Sequence, residues 1–127
     1  MKFIAEDDAL TVKFQGTEVL LGLKRQLVIP RASITSLDWQ PQFTFRGKLW
    51  RVAGAGLPGL LYAGHFRAAG DLYYLYLYQP VGVGWVNGAV RAQNVLVITT
   101  QGYHYKQIFL TCNPDVGAGL LNWWQQN

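Results

Sequence analysis

Cysteine, histidine and acidic residues are scarce in this chain of 127 residues, and each shortage excludes a class of protein. The single cysteine, Cys112, excludes an intramolecular disulfide framework and a zinc site built from several cysteines. No apolar run approaches the length of about 18 residues that a membrane helix needs. The acidic residues 6–8 come too early for the apolar core of a signal peptide. We therefore expect one soluble, cytoplasmic domain that spans residues 1–127.

Residue patterns typical of enzyme active sites are also missing. The seven acidic residues and the two histidines, His65 and His104, form no paired carboxylates, no metal-ligand spacing and no nucleophile motif. Each histidine is predicted in the middle of a strand, as an ordinary half-exposed residue. We therefore expect no cofactor, no metal and no enzymatic activity. The alternative is a small hydrolase that uses His65 or His104, and a buried aromatic pocket around one of them would favour it.

What the sequence does contain is a series of short runs of Val, Ile, Leu and Tyr, separated by Gly, Pro and Asn. This spacing predicts a mainly antiparallel β protein. Residues 18–23 fit either a short helix capped by Thr17 or a strand. Residues 41–59 are predicted to form an irregular connection, in which the alternating Phe43 and Phe45 leave a short edge strand as an alternative. Bulky residues on both faces of 72–78 indicate a strand that is covered on both sides or wraps over an edge. The predicted strands are 9–14, 26–30, 34–40, 60–67, 72–78, 94–99 and 103–111.

The C-terminal segment carries the signals of a helix start. Asn113 is a good N-cap, Pro114 suits the first helical position, and Asp115 is favourable in the first turn. We expect a helix over about 114–125. Its apolar stripe would consist of Val116, Leu120 and Trp123 or Trp124.

The segment Gly54-Ala55-Gly56-Leu57-Pro58-Gly59 matches the GxGxxG pattern of dinucleotide-binding loops. In such loops the glycines follow a strand and open a helix, whose N-terminus receives the pyrophosphate. Here the strand-like Leu60–Tyr62 follows, and no acidic residue stands about 20 positions on. The glycines are therefore predicted to form a bend with positive φ between two strands, with no nucleotide bound.

Four segments resemble the small bacterial pleckstrin-homology-like (PH-like) proteins: Ile29–Ile34, Arg51–Phe66, Val95–Ile98 and Asn113–Asp115. The resemblance covers nearly the whole chain and rests on structural motifs. It implies a small barrel or two orthogonal antiparallel sheets, capped by the C-terminal α-helix, and a non-catalytic binding or scaffolding role. Lipid-binding members carry clustered basic residues around the first hairpin, whereas Lys13–Glu18 holds one Lys and one Glu, so the resemblance does not extend to phosphoinositide recognition.

Asn87-Gly88, flanked by apolar residues, predicts an extra β-hairpin over about 80–92. The hairpin is too apolar to stand free in water. The alternatives are that it packs on its own barrel, on a second copy of the chain or on another protein. A further alternative is that Trp85, with help from Arg91, inserts it into a membrane surface. The leading prediction is a homo-oligomeric or protein-binding module. Its predicted contact surface consists of Val81, Val83, Trp85, Val86 and Val90, together with Tyr74, Tyr76 and Tyr78.

The net charge of +4 is concentrated in the first half of the chain. Only one acidic residue, Asp38, lies within the segment that carries six basic residues. This bias supports a second prediction, a module that binds an anionic lipid head group or a nucleic acid. The predicted anion contacts are Lys24, Arg25, Arg31, Arg46, Lys48 and Arg51.

Overall fold

The computed structural model describes residues 1–47, 49–57, 59–80 and 89–126. The chain is mainly β with one C-terminal helix, as the sequence predicted. The helices are α1 (Thr17–Gly22) and α2 (Pro114–Gln125), and a short 3-10 turn covers Arg31–Ser33. The strands are β1 (Lys2–Ala5), β2 (Ala9–Lys13), β3 (Gln26–Pro30), β4 (Ile34–Arg46), β5 (Trp50–Leu57), β6 (Leu61–Ala68), β7 (Asp71–Tyr78), β8 (Ala89–Thr100) and β9 (Gln107–Thr111).

These strands form two sheets. A three-stranded antiparallel sheet has the order β1-β2-β3, and a six-stranded sheet has the order β4-β8-β9-β7-β6-β5. Every neighbouring pair is antiparallel except β7 and β9, which are parallel. No closed barrel forms within the described residues. Of the two architectures left open by the sequence, the pair of sheets is the one observed.

The six-stranded sheet is covered on both faces, and β7 shows this directly. Tyr74 and Tyr76 join a buried cluster that includes β2, β3 and Leu120 of α2. The alternate residues Tyr73, Leu75 and Leu77 join a second cluster on the opposite face. Because side chains alternate between the faces of a strand, bulky residues at consecutive positions require cover on both sides. The prediction for this strand is confirmed.

The strand predicted to end at Gln40 continues to Arg46, so the irregular connection expected over 41–59 is wrong. The pairing of β4 with β8 passes from Gln40–Val95 to Gln42–Gln93, which places Pro41 opposite Asn94. Asn94 has a φ of 56°, which lies in the left-handed region. Because β4 is an edge strand, a proline without a backbone N–H is tolerated at position 41. The pair of β4 and β8 is called the ribbon below.

Both helix starts can be compared with their predictions. α1 confirms the helical alternative, but Gly16 occupies its N-cap and Thr17 is already the first helical residue, so the predicted Thr17 cap is wrong. At α2, the side chain of Asn113 accepts a hydrogen bond from the Asp115 N–H at 2.8 Å, as expected. Val116 is exposed, and its place on the buried stripe is taken by Gly117, which lies against the ring of Trp39.

Two further predictions concern loops. The strand expected over 103–111 begins only at Gln107, so His104 lies in a loop and not in a strand. The hairpin predicted over about 80–92 falls largely on residues 81–88, which lie outside the described residues, and so does its Asn87-Gly88 turn. From Ala89 onward the chain forms the first part of β8.

Candidate interaction surface

The predicted bend is confirmed at Gly59, which lies in the turn between β5 and β6 with a φ of 83°. It is wrong for Gly54 and Gly56, which lie within β5. Gly54 pairs with Gly64, and the missing side chains allow the two backbones to approach closely. Because a strand follows Gly59, the segment offers no helix N-terminus to a phosphate group.

β5 is an edge strand of the six-stranded sheet, so one of its long sides has no strand partner within the described residues. Trp50, Val52 and Leu57 of β5 and Leu60 of the following turn are between 50% and 67% exposed. The sequence between Arg51 and Arg67 contains no Asp, Glu, Lys or Arg. Apart from Arg51 near its start, β5 therefore lacks the charged residues with which proteins usually protect an open strand from pairing.

Helix α1 packs beside β5 and β6 and adds exposed leucines to the same region. Its inner side is fixed, because the Tyr74 hydroxyl donates a hydrogen bond to the carbonyl oxygen of Gly22 at 2.9 Å. Its outer side presents Leu20, which is 74% exposed. We refer to the exposed apolar residues of α1, β5 and the turn as the edge surface, which consists of Leu20, Leu21, Leu23, Trp50, Val52, Leu57 and Leu60.

The start of α1 is held by the carboxylate of Glu18. This group accepts hydrogen bonds from the Gln15 N–H at 2.9 Å and from the Tyr78 hydroxyl at 2.8 Å, and it lies 2.7 Å from the amino group of Met1. Burial raises the pKa of Glu18, but these contacts outweigh it, so the pKa lies below its usual value. The ionised carboxylate thus ties α1 to β7 and to the N-terminus.

An aromatic cluster surrounds His65 on β6. Nδ1 of His65 lies 3.0 Å from the hydroxyl of Tyr105, and the ring of Tyr74 stands edge-on to the imidazole. Burial lowers the pKa of His65, as does the positive charge of Lys24. Burial also raises the pKa of Tyr105 to about 12, so its hydroxyl stays protonated at neutral pH. No carboxylate of the described residues hydrogen-bonds to His65.

The structure places the residues of the predicted contact surface differently from the expectation. Val90, Tyr74 and Tyr76 are buried in the two core clusters and cannot form an exposed surface, which corrects the prediction for these three. Tyr78 is 43% exposed, and its hydroxyl is engaged by Glu18. The other predicted contact residues, Val81, Val83, Trp85 and Val86, lie outside the described residues.

The basic residues predicted to contact an anion lie on several different elements. Lys24 and Arg25 connect α1 to β3, Arg46 ends β4, and Arg51 lies on β5. Lys48 lies outside the described residues. The Nζ of Lys24 stands 5.8 Å from the centre of the Tyr105 ring.

Arg31 makes a structural contact that the sequence did not predict. Its guanidinium lies 5.1 Å from the ring centre of Trp123 and 5.2 Å from that of Trp124. It also donates hydrogen bonds to the carbonyl oxygens of both residues, at 3.2 Å and 2.7 Å. These carbonyls belong to the last turn of α2, where a positive charge is favourable. Arg31 therefore holds the C-terminal end of α2, and its assignment as an anion contact stays a prediction.

Sequence reasoning missed the edge surface because it treated residues 41–59 as a connection. The signal that could have revealed it is the uncharged stretch between Arg51 and Arg67, which is long enough for two strands. The two strands differ in burial. The residues of β6 lie between two neighbouring strands and are mostly buried, whereas half of those of β5, at the edge, are exposed and the other half are only partly buried.

Within the residues that the structure describes, no three His, Cys, Asp or Glu side chains are grouped so that they could hold a metal ion. The same residues include no helix with the length and apolar character required to cross a membrane. No family model, no curated protein and no solved structure matches this chain.

Proposed function

We propose that this chain is a non-catalytic interaction module that associates with a second copy of itself through the edge surface. The observation that carries the proposal is the edge of β5, which has no second strand partner among the described residues, carries Arg51 as its single charged residue, and lies beside exposed leucines of α1. An unpaired strand edge is a template for another strand, and exposed apolar side chains gain free energy when a partner covers them. The PH-like identity stays a prediction, with which two sheets and a terminal helix are compatible.

The sequence of β5 favours a second copy as the partner. In an antiparallel pair with its axis between Ala53 and Gly54, Trp50 of one copy faces Leu57 of the other. Arg51 then faces Gly56, so no two charges of the same sign are directly opposed. Such a two-fold contact uses the same patch on both copies, as most homodimers do. The bulge between Arg51 and Ala53 places Val52 outside the regular pairing with β6.

Sedimentation velocity of the full chain over a wide concentration range tests this proposal. The mass of one copy is 14.3 kDa, and we expect it to double as the concentration rises. Val52→Lys and Leu57→Lys place a charge on the edge and should keep the protein monomeric. Val116→Lys is the matched control, because Val116 is exposed on α2, away from β5, and this variant should dimerise like the wild type.

A wild-type chain that stays monomeric up to millimolar concentration would overturn the proposal. The same conclusion holds if the wild type dimerises and both lysine variants at the edge dimerise equally well. Circular dichroism confirms that each variant is folded.

A further inference from the structure

A groove with a volume of about 570 Å³ lies where β8 and its partner β4 extend beyond β9. Its walls come from residues 42–44 of β4 and 91–94 of β8, from Tyr78 at the end of β7 with the following Gln79, and from Thr111 at the end of β9. The volume falls within the range of small-molecule sites in proteins. We call it the amide groove, because carboxamides make up much of its lining, namely Gln42, Gln79, Gln93 and Asn94.

The three glutamines of the amide groove make no side-chain hydrogen bond with any described residue. Gln42 and Gln93 are paired across the ribbon, so their side chains leave the two strands on the same face. Other glutamines of the sheet are engaged: Nε2 of Gln40 donates to Asp38, and Nε2 of Gln107 donates to the hydroxyl of Thr99. Each carboxamide offers two donors and one acceptor. The groove thus concentrates unused hydrogen-bonding capacity of both kinds.

The backbone around the amide groove is held in unusual conformations. Gln79 and Asn94 have φ values of 54° and 56°, which non-glycine residues rarely adopt. The surrounding structure enforces them, since the Gln79 N–H donates to the Leu60 carbonyl and the Asn94 carbonyl accepts from the Cys112 N–H. Strained residues of this kind are found preferentially where a ligand is bound. Walls fixed in advance also reduce the entropy that binding would cost.

The chemistry of the amide groove selects a class of ligand. Its lining includes one cation, Arg91, and no carboxylate, while the partly exposed ring of Tyr78 supplies an aromatic surface. Closely spaced groups that both donate and accept match the hydroxyl and acetamido groups of sugars, and an aromatic ring matches their C–H faces. Because Arg91 is the only charged residue of this lining, the groove suits a ligand that is neutral or that places one negative charge beside Arg91. We propose that the amide groove binds a short oligosaccharide, either neutral or acidic.

The test follows the side-chain NH₂ signals of the full, ¹⁵N-labelled chain by NMR. The probes are tri-N-acetylglucosamine, which is neutral, and trigalacturonate, which is acidic. We expect saturable shifts in the signals of Gln42, Gln93 and Asn94 with at least one probe. Gln42→Ala and Gln93→Ala should each weaken that binding about three- to tenfold, which is the effect of losing one hydrogen bond. Gln26→Ala changes an exposed glutamine on β3 and should leave binding unchanged.

Arg91→Ala distinguishes the two kinds of sugar. If the ligand is acidic, this variant loses binding of trigalacturonate, and if it is neutral, tri-N-acetylglucosamine binds the variant and the wild type equally. The proposal is overturned if neither sugar gives a saturable shift, or if the double variant Gln42→Ala/Gln93→Ala binds as tightly as the wild type. Signals that respond only to an extended peptide added as a third probe would also overturn it. The backbone spectrum of each variant shows whether it is folded.

Discussion

Gly54 of β5 and Gly64 of β6 lie opposite each other, and both have positive φ, 123° and 117°. A side chain on Gly54 would overlap the carbonyl oxygen of Ala63, and one on Gly64 would overlap that of Ala53. The motif that resembles a phosphate loop is therefore a place where two strands come unusually close. The contact fixes the position of β5, and with it the edge surface.

Gly54→Ala should lower the free energy of unfolding by about 2 to 4 kcal/mol, since it adds backbone strain to a steric overlap. Urea unfolding followed by circular dichroism measures the change. Gly119→Ala is the control, because a Cβ at this helical position meets no atom within 4 Å. It should raise the stability by about 0.5 to 1 kcal/mol. A Gly54→Ala variant as stable as the wild type would contradict the close approach.

This pair of glycines also shows where sequence reasoning succeeds and where it fails. The strand at 72–78 and the start of α2 were predicted correctly, because alternation and capping are local signals. Pro41, Gly54 and Gly56 were taken as the marks of a connection, although each lies within a strand. Proline and glycine disrupt a strand locally. Pro41 is tolerated because β4 is an edge strand, and Gly54 is accommodated because Gly64 lies opposite it. Both conditions depend on strand order, which local patterns do not contain.

The sequence predicted even less of the edge surface than of the fold. Tyr74 and Tyr76 resemble exposed edge residues in the sequence, yet both are buried, because β7 lies between β6 and β9. Leu57 and Val52 resemble core residues, yet both are about half exposed, because β5 has one neighbour. Apolar character alone does not distinguish a core strand from an edge strand. The distinction requires the tertiary structure.

The environment of His65 predicts a pH-dependent stability. Burial and the charge of Lys24 hold its pKa below the value of about 6.5 that it has in the unfolded chain. At a pH between the folded and the unfolded pKa of His65, the unfolded chain binds more protons than the folded chain. The stability that His65 contributes is therefore complete above about pH 6.5 and is lost as the pH decreases through the folded pKa. A protonated ring also has no acceptor nitrogen for the Tyr105 hydroxyl.

We therefore expect His65→Gln to remove the part of the stability change that the wild type shows between about pH 7 and pH 5. Urea midpoints measured across this range for the two proteins provide the comparison. His104→Gln keeps His65 in place and should follow the wild-type profile. An unchanged profile in His65→Gln would assign the pH dependence to another group.

Arg31 connects the 3-10 turn to the last turn of α2, and its loss should loosen that helix. Arg31→Ala removes two ring contacts and two hydrogen bonds, and should cost about 1 to 3 kcal/mol. Arg31→Lys keeps the charge but loses the planar guanidinium, so it should restore only part of the stability. Arg25→Ala is the control, since that side chain is exposed. A change of tryptophan fluorescence in Arg31→Ala before global unfolding would place the effect at α2.

Cys112 reports when the core opens. Its thiol is buried, and burial raises its pKa to about 11, so almost none of it is thiolate at neutral or mildly basic pH. Because the thiolate is the reactive form, iodoacetamide at about pH 8 should modify the folded chain at least 100-fold more slowly than the chain in urea. The small rate that remains measures transient opening. Gly54→Ala lowers the cost of opening and should speed this reaction, whereas Gly119→Ala should slow it. A folded wild-type chain modified as fast as the unfolded one would show that Cys112 is accessible and would contradict its burial beneath α2.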